Sequence, residues 1–163
     1  MNNNLMDFLI EYLSYCFDND SELSDSTIYV NEGYDCNNEI ELPQVAIQLL
    51  DNSEVERLSS FEAENVSSFG LQLNVFAENM TINGEVYTAQ RACSYIADKI
   101  KLFMNDLKFK HLNENIVRLV RVGRDYTSPL DVNSGQVYVT VLRFDTQTIY
   151  PYLTELENIE KEN

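Results

Sequence analysis

Between residues 69 and 107 the spacing of apolar residues changes from two to about 3.6, and that change decides most of what this chain can fold into. In "FGLQLNVFAE", Leu71, Leu73, Val75 and Ala77 alternate with Gln72, Asn74, Phe76 and Glu78, as in a strand with one buried face. "NMTINGEVY" follows with the turn-forming pair Asn83-Gly84, and Thr88 then stands where a helix needs an N-cap. From residue 89 to 107, Ala89, Ala92, Ile96, Ile100, Phe103, Met104 and Leu107 recur at spacings of three and four, widened by Cys93 and Ala97. A helix with so broad an apolar stripe packs across a sheet. Lys108, Lys110 and His111 close it, where positive charge meets the negative end of the helix dipole.

The other segments fill in around this unit. "LMDFLIEYLSYCF" at 5–17 sets Leu5, Phe8 or Leu9, Tyr12, Leu13 and Cys16 on one side, opposite Asp7 and Glu11, and reads as an amphipathic helix. "DNDSELSDS" reads as a polar linker. Short strands are expected at 26–33 and 42–50, the second with Val45, Ile47 and Leu49 on one face and Pro43 at its first rung or an edge. Residues 51–68 show no sustained period and read as an ordered loop with a helical turn. Residues 116–122 and 136–144 are strands with apolar residues on both faces, which predicts central positions. Between them, 124–135 is expected to be a long inter-strand loop, with Pro129 and Gly135 inside it.

Helices that cover one face of a mostly antiparallel sheet give a two-layer α+β domain, here with one long helix and an N-terminal helix. The 163 residues suit a single domain, 1–163, with 1–4 and 154–163 as flexible ends.

Charge is distributed unevenly. The net charge is -16, yet residues 1–65 hold fifteen acids against Arg57 alone, while 89–124 hold eight bases against Asp98, Asp106 and Glu114. So acidic a chain is a poor general binder of nucleic acid, which requires phosphates to be neutralised by Lys and Arg. Arg118 and Arg121 have odd spacing and face opposite ways on a strand, so carboxylates are their expected partners rather than a single DNA-facing row. Unlike charges on one chain can pair identical copies.

Motifs for chemistry are few. His111 is the single histidine, and Cys16, Cys36 and Cys93 form neither a CxxC pair nor a zinc spacing, so the cysteines read as reduced thiols and no metal is expected. "DNDSEL" lacks the Gly and Glu of a calcium loop, and Gly70, Gly84, Gly123 and Gly135 make no phosphate cradle. No catalytic residues and no cofactor are expected. No window has the uninterrupted apolar run of a membrane helix, and the start lacks the basic residues of a secretion signal, so a soluble chain is expected.

The order of segments, with "FGLQLNVFAEN", the helix "TAQRACSYIADKIKLFM" and the closing "RVGRDYTSPLDVNSGQVYVTVLRF", resembles tail terminator proteins of long-tailed bacteriophages, also termed tail-completion or minor capsid proteins. The resemblance covers residues 3 to 145 in layout. It implies a structural virion protein, not an enzyme, that closes into a hexameric ring on the tail tube and forms the head-tail joining surface. Its partners would be further copies of itself, the tail-tube protein and the head-tail connector protein. DNA would pass through the ring without sequence-specific contact, and no membrane is involved. The chain would reside at the head-proximal end of the virion tail, and in the host cytoplasm during assembly. The resemblance also places Arg124, Asp125, Tyr126, Pro129 and Asp131 in an assembly or lumen loop. The charge pattern adds a basic interface of Arg91, Lys99, Arg118 and Arg121, and an acidic one of Asp51, Glu54, Glu56, Glu62 and Glu64. Exceptional acidity is where the chain departs from the family, and an acidic lumen would let DNA slide without sticking. A head-completion or connector adaptor, or another tail-ring protein, is the alternative ring reading, and a soluble acidic protein-binding adaptor the alternative of another class.

Overall fold

The computed structural model describes residues 3–33, 41–51, 66–109, 116–130 and 136–149. Among them are two helices, α1 (Asn3–Asp18) and α2 (Ala89–Phe109), and eight strands: β1 (Tyr29–Glu32), β2 (Gln44–Asp51), β3 (Val66–Ala77), β4 (Met80–Ile82), β5 (Glu85–Tyr87), β6 (Ile116–Arg121), β7 (Tyr126–Pro129) and β8 (Tyr138–Ile149). Both helices pack against a mixed, mostly antiparallel sheet, a two-layer α+β arrangement.

The sheet runs β1-β2-β3-β8-β6, with β7 also paired to β8, while β4 and β5 form a separate hairpin. β1 lies parallel to β2, with Tyr29 opposite Gln44 and Glu32 opposite Ile47. The remaining pairs are antiparallel, Leu73 standing between Ile47 on one side and Leu142 on the other. Pro43 precedes β2 and its carbonyl accepts from the Tyr29 N–H at 3.0 Å, so it serves at the first rung without having to donate.

Alternation decides which side chains meet the helices. Val45, Ile47, Leu71, Leu73, Val75 and Leu142 point to one face and are buried with Phe8, Leu9, Tyr12, Leu13 and Phe17 of α1 and Ile96, Ile100 and Met104 of α2. Burying each large aliphatic or aromatic side chain of this kind contributes about 1.5–3 kcal/mol, before the entropic cost of ordering it. The two helices also touch directly: the Tyr12 hydroxyl donates to the Phe103 carbonyl at 2.6 Å, and Phe17 meets the Phe103 ring edge-on at 5.2 Å. Burial drives the Tyr12 hydroxyl pKa upward.

Several expectations are corrected here. β8 is central; among the described residues β6 pairs with β8 alone and ends the strand order. Met6 and Phe17 belong to the buried face of α1, while Cys16 is only half-buried. Phe76, grouped by alternation with the solvent side, is 4% exposed, lying in register between Gln44 and Val139. Residues 3 and 4, expected in a loose end, form the first turn of α1. "DNDSELSDS" is no free linker: Asp20 Oδ1 accepts from the N–H groups of Glu22 and Leu23 at 2.9 and 3.0 Å, and Leu23 is fully buried. Of the loop expected at 51–68, Asp51 instead ends β2 and residues 66–68 begin β3, while 52–65 and the tail from 150 lie outside the described residues.

Candidate assembly surface

β6 and β7 lie end to end along one side of β8. Arg121 stands opposite Phe144 and Tyr126 opposite Val141, so residues 122–125 are set against 142–143 alone. The surplus leaves the ladder as a bulge, which bends the edge and re-aims its side chains. The Val122 N–H still donates to the Arg143 carbonyl at 2.8 Å, and Gly123, at a φ of 73°, makes the turn that other residues adopt only with strain. The segment expected as one loop over 124–135 therefore holds a strand, β7, whose pairing with β8 continues in the bond from the Leu130 N–H to the Val137 carbonyl.

The bulge turns Asp125 inward and its neighbours outward. Asp125 bonds the Lys101 ammonium on α2, and Asp98 lies 3.0 Å from the same ammonium. Burial works to lower the Lys101 pKa, but the bonds and charges of Asp125 and Asp98 outweigh it and hold it above its usual range. Arg124 is exposed, Tyr126 is 65% exposed and Pro129 is half-buried. Val122 and Leu130 are further exposed apolar residues beside them.

Lys99 leaves the other flank of α2. It lies 3.1 Å from Asp20 and 3.4 Å from Glu22, and its ammonium sits 5.9 Å from the Tyr95 ring centre. Here too burial alone would lower the pKa, and the Asp20 bond and charge, aided by Glu22, raise it. Lys99 was expected in an interface; it instead joins α2 to the turn after α1 within the same chain.

Arg91 is exposed near the start of α2, its guanidinium 5.3 Å from the Tyr87 ring centre, and Tyr87 meets Tyr95 edge-on at 5.4 Å. These residues border a shallow open recess with Gln90, Ser94 and Asp98. Arg91 and Lys99 thus lie against the two rings of one tyrosine pair, and Lys99 is also engaged by Asp20 and Glu22. Arg118 and Arg121 occupy β6, at register positions opposite Gln147 and Phe144. Asp51 ends β2, opposite Phe69. Asp131, Glu54, Glu56, Glu62, Glu64 and His111 lie outside the described residues.

No protein-family model and no curated protein matches the chain.

Among the described residues no three His, Cys, Asp or Glu side chains converge as metal ligands, and no helix is long and apolar enough to cross a membrane. The Cys93 thiol donates to the Tyr138 carbonyl at 2.9 Å and is wholly buried; burial pushes its pKa up to about 11. A thiol so held is a poor nucleophile near neutral pH. The face of the sheet turned away from α1 and α2 carries a polar row in which Arg143 Nε donates to Gln72 Oε1 at 3.0 Å and Gln72 Nε2 to Asn74 Oδ1 at 3.1 Å.

Sequence reading named Asp125 and Lys99 but missed both of their partners. For Lys99 a signal existed: "DSEL" has an Asp three residues before an apolar anchor, the form of a capped turn rather than a linker. For Lys101 and Asp125, 24 residues apart, only the packing of α2 beside the bulge brings them together.

Proposed function

We propose that this chain is a structural ring subunit of a long-tailed bacteriophage, closing the head-proximal end of the tail tube and presenting the surface on which the head docks. The observation that carries the reading is the placement of charge across one sheet. Residues 18–32, which lead into edge strand β1, hold Asp18, Asp20, Glu22, Asp25 and Glu32 with no Lys or Arg. Residues 116–124, which form β6 at the far end of the strand order and enter the bulge, hold Arg118, Arg121 and Arg124 with no acid. Asp20 and Glu22 are engaged by Lys99, which leaves Asp18, Asp25 and Glu32 as the exposed acids of the first stretch.

A subunit that is acidic at one edge and basic at the other joins copies head to tail, and head-to-tail contacts close into rings when the rotation per copy divides a full turn. The layout resemblance to tail terminators supplies the number of copies, six, and the place in the particle. Lys99 and Lys101 take no part, since each is neutralised within its own chain.

The test is to add the purified chain to polymerising tail-tube subunits and to assembled connectors, imaging both mixtures. Tubes that stop growing with an extra ring at one end support the reading. Binding to connectors alone assigns the chain to the connector level instead, and indifference to both removes it from the tail.

A further inference from the structure

We propose that neighbouring copies join strand to strand, β6 of one copy lying beside β1 of the next, so that a single sheet runs on around the ring. This rests on the ring reading and specifies its contact.

The hydrogen bonds fix which main-chain groups are open. In β1 the N–H groups of Tyr29 and Gly33 donate to Pro43 and Ile47 at 3.0 and 2.8 Å, so the odd-numbered residues turn their main chain toward β2. Val30 and Glu32 accordingly turn theirs outward, and among the described residues nothing bonds them. In β6 the phase is set by Val122, which donates to Arg143; Leu119 and Arg121 are the residues whose main chain faces away from β8. Each edge thus offers two rungs, two residues apart.

The rest of the basic edge is closed to such pairing. In β7, Leu130 donates to Val137, so Thr127 and Pro129 hold the outward positions, and Pro129 has no N–H to give. The bulge at 122–125 interrupts the edge between the two strands. Among the described residues β6 is left as the stretch that can accept a strand.

Direction and charge choose the occupant. β1 and β2 are parallel, and three antiparallel steps separate β2 from β6, so β1 and β6 run in opposite senses. A copy rotated about an axis along the strands therefore presents β1 antiparallel to β6. Glu32 lies in β1, while Arg118 and Arg121 lie in β6. Two β1 edges would bring Glu32 near Glu32, and two β6 edges would set arginines together, so like edges repel and unlike edges attract.

The test is amide hydrogen exchange on the wild-type chain, as a ring and after dissociation, together with the size of Glu32→Pro. Glu32→Pro deletes an outward N–H that the fold does not use. The proposal expects the Val30 and Glu32 amides to exchange at least about tenfold more slowly in the ring, and Glu32→Pro to stay folded but fail to close. Glu32→Arg and Arg121→Glu should each block closure and together restore it. A wild-type ring whose Val30 and Glu32 amides exchange as fast as in the single chain overturns the strand contact and leaves the ring reading standing. A wild-type chain that never forms a ring overturns both.

Discussion

Lys99 and Asp20 lie 3.1 Å apart, and through this pair the long helix holds the turn that leads from α1 into the sheet. Two residues on, Lys101 leaves the opposite flank of α2 and holds Asp125 in the bulge before β7. The helix is therefore tied at both sides, and both candidate edges of the sheet are positioned by it.

Asp20 has two duties that substitution separates. Asp20→Asn keeps an oxygen for the Glu22 and Leu23 N–H groups and loses only the charge facing Lys99, at a cost of under about 1 kcal/mol. Asp20→Ala also loses the cap, adding about 1 kcal/mol. Urea denaturation of both variants measures the difference; equal losses would mean that the capping bonds contribute nothing.

Lys101→Met removes the tie to the bulge. Global stability falls by about 1 kcal/mol or less, because the pair is partly solvated. The local effect is larger: the amides of residues 122–126 exchange faster while those of β3 and β8 do not. Unchanged exchange at 122–126 would show that the backbone bonds alone hold the bulge.

Tyr12→Phe deletes the hydroxyl that bonds the Phe103 carbonyl and leaves the ring in place. The expected loss is about 1 kcal/mol in chemical denaturation. A variant as stable as wild type would mean that the helices are joined by apolar contact alone.

Raising the pH destabilises the fold. Burial holds the thiols of Cys16 and Cys93 near about 11 against an ordinary 9.0, so between those values the unfolded chain binds fewer protons and stability falls as pH rises. The buried Cys93 thiol contributes on the order of 2 kcal/mol at most, fully present below pH 9, and the half-buried Cys16 thiol contributes less. Lys99 and Lys101, raised by their carboxylate partners, act in the same direction above 10.5. Denaturation at pH 8 and pH 11 checks this, and Cys93→Ala should make the decline shallower. A stability independent of pH over that range would contradict the burial of the thiols.

The layers of the fold were legible because they follow from periodicity, which survives without tertiary information. Leu71, Leu73 and Val75 share one face of a strand but not of a helix, while Ala89, Ala92, Cys93, Ile96 and Ile100 share one side of a helix but would fall on both faces of a strand. Two things were not legible. The place of β6 at the end of the described strand order depends on how the strands pair, and "IVRLVR" reads the same at the centre of a sheet. The partition of "RDYTSP" into bulge and strand depends on register with β8, which only the paired chain fixes. The candidate site fared similarly: sequence located exposed Arg124 and Tyr126, but spent Lys99 on a neighbour when its carboxylates were near at hand.

Assembly is the claim on which the functional account depends, and native mass spectrometry of the purified chain at low salt tests it most directly. The account predicts one closed species of six copies that falls apart as salt screens the Glu32 and Arg121 edges. A chain that stays single at every concentration and salt would contradict it.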